Sequence, residues 1–198
     1  MRPVYILLEG SDDERFFQRI VAPLLAARRY QARIWLYACE KRARTTQFLK
    51  SVRASGNAFI LVRDIDDAPS VAAKKREMIE RYDHLLTSEE IAVVVMEIES
   101  WYLAGADPRV LAKWGIGHPP ASTDGITKEQ FNNLIPRRLS RIVFMQEILR
   151  HYDVGAAMQR NASFRYFMHR FVDMWDDVLP PLVTSGSGTP DAKSPGVR

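Results

Sequence analysis

The feature of this sequence that most constrains its fold is the position of acidic residues directly after short apolar runs. The runs cover residues 4–8, 59–62 and 91–96, and each has the length and composition of a buried β-strand. They are followed by Glu9-Gly10, by Arg63-Asp64-Ile65-Asp66 and by Glu97-Ile98-Glu99. In a parallel α/β sheet the carboxyl ends of the strands share one edge, and ligands bind in the crevice outside that edge. The sequence therefore predicts that carboxylates far apart along the chain meet at one place.

Strand and helix patterns alternate through the first half of the chain. The predicted strands are residues 3–8, 33–38, 58–63 and 91–96, and the predicted helices between them follow Ser11 and cover 44–54 and 71–83. Ser11 and Glu14 have the spacing of a capping box, and Pro23 predicts that the first helix kinks or ends near Ala22. This order predicts an α/β fold with a mostly parallel four-stranded sheet flanked by helices.

The pattern changes after Glu99, where helices and loops replace strands. We predict an α/β core over residues 1–105, a helical C-terminal elaboration over 106–179 packed on the core, and a disordered Pro/Gly/Ser-rich tail over 180–198. Trp101 and an apolar stripe are predicted to be core. The stripe comprises Phe164, Phe167, Met168, Phe171, Met174 and Trp175. A further helical face is predicted from Leu139, Ile142, Val143 and Leu149.

Composition limits the setting in which the chain works. No apolar run approaches the roughly 20 residues that span a bilayer, and we see no signal peptide, so no membrane partner is expected. Cys39 is the only cysteine, which excludes an internal disulfide and indicates a cytoplasmic protein. The net charge of +4 is compatible with a polyanionic partner. Nothing in the sequence indicates the oligomeric state.

The acidic segments resemble the TOPRIM domain, which is marked by Glu-Gly after the first strand and Asp-x-Asp after a later one. Here these marks are Glu9-Gly10 and Asp64-Ile65-Asp66, roughly 55 residues apart. The string from Leu8 to Phe17 is similar to the opening of a bacterial family of small TOPRIM-like proteins without established function, related to OLD-type nucleases. The segments Glu97–Ala104 and Ser163–Phe167 also match that family. The resemblance implies a TOPRIM-like sheet and metal-dependent chemistry on nucleic acid.

A cluster of carboxylates repels itself unless a cation binds, and hard oxygen ligands suit Mg²⁺, Mn²⁺ or Ca²⁺. Asp64 and Asp66 are two positions apart, so in an extended segment their side chains point to the same side and can share one Mg²⁺ or Mn²⁺. Glu9 is predicted to complete the site or to act as general acid or base, the role that the TOPRIM resemblance implies. The OLD resemblance implies a second metal at Glu99 and, with less support, Glu97.

Each acidic segment also has a structural interpretation. For Asp64 and Asp66 the alternative is a solvated loop, and for Glu97 and Glu99 it is a helix whose first turn favours negative charge. Asp12, Asp13 and Glu14 are interpreted as capping residues rather than catalytic ones.

Phosphate contacts are predicted at Gly10, whose backbone permits close approach, and in two basic clusters. The clusters are Lys41 and Arg42 with Arg44, and Arg137 and Arg138 with Arg141. A solvated face is the alternative for both clusters. The basic residue that the family carries before its last helical segment has no counterpart near Asp153-Val154-Gly155.

Three functions fit these observations. The leading hypothesis is a Mg²⁺-dependent nuclease, in phage defence or repair, with DNA or RNA as substrate. The alternative is a catalytically silent TOPRIM-like module that binds nucleic acid or a partner protein. A phosphoacceptor domain of the response-regulator type ranks last, because strand one would need paired acids where Glu9-Gly10 stands.

Overall fold

Four parallel strands form the centre of the molecule in a computed structural model, which describes residues 1–173. The strands are β1 (Arg2–Leu8), β2 (Tyr30–Leu36), β3 (Ala58–Asp64) and β4 (Ile91–Val94). Their order in the sheet is β2-β1-β3-β4, and every neighbouring pair is parallel. The predicted α/β fold with a parallel four-stranded sheet is therefore confirmed.

The register of the sheet places the strand ends side by side. Leu8 pairs with Leu36, Leu7 with Leu61, and Asp64 with Val94. β4 is two residues shorter than predicted, because Met96 adopts a positive φ of 65° and turns the chain toward Glu97. The segments that follow all four strands consequently leave the sheet at the same edge.

Helices cover both faces of this sheet. They are α1 (Ser11–Phe16), α2 (Ala22–Ala27), α3 (Arg42–Ala54), α4 (Val71–Arg81), α5 (Ile98–Ala104), α6 (Pro108–Ala112), α7 (Lys128–Asn133), α8 (Arg141–Arg150), α9 (Val154–Arg160) and α10 (Ala162–Met168). No helix within residues 1–173 is long and apolar enough to cross a membrane.

The sequence predicted that the first helix kinks or ends near Ala22, and the structure shows that the regular α-helix is interrupted there but the helical segment does not end. A π-helical turn over Phe17–Val21 joins α1 to α2, and the Ala22 N–H bonds to the Phe17 carbonyl five residues earlier. The wider turn removes the need for the hydrogen bond that proline cannot donate, and Pro23 then lies in the first turn of α2, where proline is tolerated.

The sheet separates two apolar cores. On one face, α3 and α4 bury Leu49 and Met78 against Leu7 and Leu61. On the other face, α1, α5 and the later helices pack against residues such as Ile6 and Val62. The second core holds a cluster of fully buried rings, comprising Phe16, Phe17, Trp101, Phe164 and Phe167.

The second core confirms some apolar predictions and corrects another. Trp101 is buried, and so is the predicted stripe from Phe164 to Phe171. Met174, Trp175 and the predicted tail over 180–198 lie outside the described residues. On α8, Ile142 and Val143 are exposed instead of buried, because the helix turns Phe144, Met145, Ile148 and Leu149 to the core.

Candidate functional site

A cavity of about 400 Å³ opens at the edge of the sheet where the strands end. It is lined by Glu9, Gly10, Ser11, Asp12, Asp13, Ala38, Asp64, Asp66, Glu97, Ile98, Glu99 and Lys128. Each of the four strands contributes, because these residues lie in or just after the strand ends or in the helices that follow. We call this cavity the acidic cavity. It contains all five carboxylates that the sequence predicted to meet, together with Gly10.

Glu9 and Asp64 are in direct contact, since β1 and β3 are neighbours. The backbone N–H of Asp64 donates a hydrogen bond of 3.2 Å to Glu9 Oε2. The predicted adjacency of these two acids across 55 residues of sequence is therefore present in the structure.

Asp13 belongs to the cavity, although the sequence indicated only a capping role. The helix cap is Gly10 rather than Ser11, and the Gly10 N–H donates to Asp13 Oδ2 at 3.1 Å. Asp13 instead of Glu14 makes the reciprocal capping contact, which turns a nearly buried carboxylate toward the strand ends. The only sequence feature that could have indicated this role is the position of Asp13 three residues after Gly10.

Asp64 carries a buried carboxylate oxygen with no partner. Its Oδ1 makes no hydrogen bond within the described part of the chain. Burial, followed by the nearby carboxylates of Asp13 and Glu9, raises the pKa of Asp64 to about 9. Burial is also the main reason that the pKa of Asp13 rises to about 7. Both shifts show that negative charge here is not fully compensated by the protein.

Arg63 and Lys74 neutralise one side of the cavity. The guanidinium of Arg63 forms ion pairs with Glu9 and, at 2.8 Å, with Asp66. Lys74 Nζ lies 2.9 Å from Asp66 Oδ2. Burial alone would raise the pKa of Asp66, but these two cations outweigh it and the pKa is lowered.

Asp66 leaves the extended conformation that the sequence argument assumed. Its φ is 46°, so the chain turns immediately after Asp64 and Ile65. Asp66 lines the same cavity as Asp64, but its carboxylate is held by Arg63 and Lys74. The two aspartates therefore differ in environment, and of the two it is Asp64 that has a buried oxygen without a partner.

Arg141 and Lys128 approach the opposite side of the cavity. Arg141 on α8 forms ion pairs with both Asp12 and Glu99. Burial raises the pKa of Glu99, which is almost fully buried, while Arg141 and Lys128 oppose that rise. Glu97 Oε2 accepts a hydrogen bond of 2.5 Å from the Lys128 N–H. Sequence analysis grouped Arg141 with a surface cluster and missed Lys128, because both lie in helices distant in sequence from the acids.

The four predicted basic phosphate contacts do not line the acidic cavity. Lys41 and Arg42 are exposed at the start of α3, where Arg42 pairs with Asp83 at 2.9 Å. Arg137 and Arg138 are exposed in the turn before α8. Of the contacts predicted for phosphate, only Gly10 lies in the cavity itself.

Comparisons with known proteins give little further information. No protein-family model matches the sequence, and no curated protein matches it. Among solved structures, the chain is similar to the C-terminal region of the OLD protein of Xanthomonas campestris pv. campestris. The identity is 14%, the match covers 90% of this chain and 88% of that one, and the TM-score is 0.37. Similarity at this level establishes no shared family, so the TOPRIM and OLD resemblance stays a prediction.

The donor atoms of the acidic cavity fit a hard divalent cation. Asp64 offers an unpartnered oxygen, and Glu9, Asp13 and Glu99 offer further carboxylates around it. Among residues 1–173, no three His, Cys, Asp or Glu side chains are already gathered closely enough to hold a metal ion. Glu9 and Glu99 are paired with Arg63 and Arg141, so binding requires these carboxylates to exchange partners.

The raised pKa values predict how the stability of the metal-free protein depends on pH. A carboxyl group whose pKa is higher in the folded than in the unfolded state binds more protons when folded, so stability falls as pH rises between the two values. For Asp13 this window runs from 3.8 to about 7, and for Asp64 from 3.8 to about 9. Thermal unfolding in EDTA should therefore occur at lower temperature as pH rises through this range.

The variant Asp64→Asn provides the control for that measurement, because asparagine does not titrate. Its melting temperature should lose the part of the pH dependence that extends above about pH 7. An unchanged slope in the variant would show that other groups cause the dependence.

Proposed function

We propose that this protein catalyses Mg²⁺- or Mn²⁺-dependent cleavage of phosphodiester bonds in nucleic acid. The observation that supports this most directly is the unpartnered, buried Asp64 oxygen among the carboxylates of the acidic cavity. A buried carboxylate oxygen without a hydrogen-bond partner does not stabilise the folded protein. We therefore favour the explanation that a bound ligand neutralises the Asp64 carboxylate.

Asp64 and Asp13 are the proposed ligands on the β1–β3 side, and Glu99 and Glu97 those on the β4 side. Glu9 is proposed either to complete this ligand set or to act as general acid or base on a bound water. Asp66 is proposed as an additional ligand that must leave Lys74 and Arg63 to reach a cation. A bound divalent cation would supply charge neutralisation at the phosphate and an acidified water.

The arginines that now pair with the acids are suited to bind the substrate. When Glu9 and Glu99 turn to a cation, Arg63 and Arg141 lose their carboxylate partners and become free to donate to phosphate oxygens. Lys128 adds a third positive charge on the cavity wall. The phosphate contacts that the sequence assigned to two basic clusters are thus proposed to come instead from Lys128 in the cavity wall and from the arginines that pair with its acids.

Glu9 is the proposed general base or acid. Burial raises its pKa, Arg63 and the Asp64 N–H oppose the rise, and the net shift is upward. A carboxylate with a raised pKa accepts a proton more readily near neutral pH, which is what proton transfer requires. Asp13, with a pKa of about 7, is the second candidate for that role.

A catalytically silent module that binds nucleic acid or a partner protein is the alternative. The ion pairs of Arg63 with Glu9 and of Arg141 with Glu99 favour it, because they compensate part of the acidic charge without any cation.

A titration of Mn²⁺ followed by electron paramagnetic resonance would separate these functions when combined with a cleavage panel. The panel consists of single-stranded DNA, duplex DNA and RNA with Mg²⁺ or Mn²⁺. We expect Mn²⁺ to bind to the parent protein and at least one substrate to be cut. Binding of Mn²⁺ or nucleic acid without cleavage would favour the silent module. A protein that binds neither would contradict both functions.

A further inference from the structure

A groove lined by aromatic and basic side chains lies beside β2, away from the acids of the cavity. Its volume is about 490 Å³, and we call it the edge groove. Its principal walls are the rings of Tyr5, Trp35 and Phe48 and the polar side chains of Arg33, Arg44 and Gln47. No Asp or Glu lines it.

The groove exists because β2 is the edge strand of the sheet and α3 covers it incompletely. β2 pairs with β1 on one side only, and in that pairing Tyr5 is aligned with Arg33 and Leu7 with Trp35. α3 buries Leu49 and Val52 against the sheet. Trp35, Phe48 and Tyr5 remain half-buried, so large rings reach solvent beside the helix.

Packing fixes the orientation of the rings. The Phe48 ring packs edge-to-face on the Tyr5 ring with an interplanar angle of 79°, and it lies beside Trp35 in the same groove. The Arg33 guanidinium lies over the Tyr5 ring at 5.8 Å and donates to the Tyr5 hydroxyl at 3.3 Å. The groove is therefore a semi-rigid platform in which aromatic surface and positive charge alternate.

The positive charge in the groove is only weakly compensated. Arg44 pairs with Glu40 at 3.0 Å, but the Arg44 side chain is 70% exposed, and such exposed pairs contribute little. Arg33 forms no ion pair with a carboxylate within residues 1–173, and its guanidinium is exposed. A polyanion therefore complements the charge of the groove better than a basic or apolar protein surface does.

We propose that the edge groove binds a single-stranded segment of nucleic acid, with bases stacked on Trp35 and its neighbouring rings and with phosphates at Arg33 and Arg44. The proposal rests on the proposed function and names its substrate class. Stacking on protein rings requires bases that are free of a complementary strand, and it tolerates any sequence. A duplex keeps its base faces stacked internally and cannot use these rings.

The position of the groove connects it to the acidic cavity. Trp35 is near the carboxyl end of β2, and Ala38, three residues later, lines the acidic cavity. Extended chain covers about 3.3 Å per residue, and Ala38 lies in a turn, so the backbone between the two residues spans at most about 10 Å. A strand held in the edge groove would continue to the acids at the ends of β1 and β3.

The test is a binding measurement in EDTA, where no metal-dependent cleavage takes place. The probe is a fluorescein-labelled oligothymidylate of about a dozen nucleotides, followed by anisotropy, with a duplex of the same length for comparison. We expect Trp35→Leu to weaken binding of the single strand by roughly fivefold or more. Trp114→Leu is the matched control, because Trp114 is also half-buried but packs on Phe144 in the other core.

A second variant removes charge instead of a ring. It keeps the proposal testable if Trp35→Leu does not fold. The double variant Arg33→Gln/Arg44→Gln should bind less tightly and show a smaller dependence of log Kd on log salt. Arg76→Gln, an exposed change on α4, should leave both quantities unchanged.

Four outcomes would overturn the proposal. The first is that the Trp35 and Trp114 variants weaken single-strand binding equally, and the second is that the parent binds duplex and single strand with equal affinity. The third is that the salt dependence of Kd is unchanged in the double arginine variant. The fourth is that the parent self-associates and that Trp35→Leu abolishes this self-association. The last would identify the edge strand as a contact between copies of this chain. Single-strand binding with the expected losses, in a protein that cuts nothing, would support the groove while contradicting the proposed function.

Discussion

Replacing Glu9 by glutamine should abolish the cleavage of nucleic acid while leaving the fold intact. Glutamine keeps the shape of the side chain and its ability to accept a hydrogen bond from the Asp64 N–H. It removes the charge and the basicity that proton transfer needs, a loss of roughly 10²–10⁴ in rate. Asp64→Asn should be equally severe, because it removes the proposed ligand with the unpartnered oxygen. Single-turnover cleavage with Mg²⁺ and Mn²⁺ measures both effects.

The matched control is Glu129→Gln, which changes an exposed acid on α7 outside the acidic cavity. That variant should cleave at the parent rate. Binding of oligothymidylate in EDTA should survive in all three variants, because the proposed contacts lie in the edge groove. Cleavage at the parent rate by Glu9→Gln or Asp64→Asn would remove these residues from the mechanism.

The second large effect concerns stability in the presence and absence of metal. In EDTA, Asp64→Asn should unfold at a temperature equal to or higher than the parent, because the change removes a buried carboxyl group whose ionisation the neighbouring acids disfavour. Mg²⁺ at about a hundred times its dissociation constant should stabilise the parent by about 2.7 kcal/mol. For a chain of this size that corresponds to a shift of several degrees, roughly 2–4 °C per kcal/mol. The variant should lose this shift.

Asp66→Asn lies in the same loop and should change the melting temperature in the opposite direction. Asp66 is held by Arg63 and Lys74, so its neutralisation breaks two ion pairs and leaves the nearly buried Lys74 with fewer partners. We expect this variant to unfold at a lower temperature than the parent in EDTA. Scanning calorimetry with and without Mg²⁺ measures both variants, and a destabilised Asp64→Asn in EDTA would indicate a structural role for that carboxylate.

The sheet and the meeting of the acids could be predicted from the sequence because both depend on a short-range pattern. Apolar runs of strand length fix β1, β3 and β4, and the topology of parallel sheets then brings Glu9, Asp64 and Glu99 to one edge. Trp101 and the Phe164 stripe were predicted to be buried for the same reason, since helical spacing of large apolar residues indicates a buried face.

The counter-charges could not be predicted, because they depend on contacts between distant parts of the chain. Arg141 reaches Asp12 across 129 residues and Glu99 across 42, and no local pattern marks it. The environment of Asp66 was missed because a single positive φ cancels the side-chain alternation on which the argument relied. Pro23 correctly marked the place where the regular α-helix is interrupted, but the π-helical turn that carries the chain past it has no clear sequence signature.

The contact of Arg141 with both Asp12 and Glu99 also means that the acidic cavity is assembled from the whole described chain. Its acids come from the segments at the ends of β1 and β3 and from α1 and α5, whereas Lys128 on its wall and the Arg141 that pairs with its acids come from α7 and α8. A chain that stops before α7 would hold the acids without these two cations. If the protein cuts nucleic acid, such an incomplete copy would lack the lysine and arginine proposed to bind phosphate, so the topology itself would restrict the activity to longer chains.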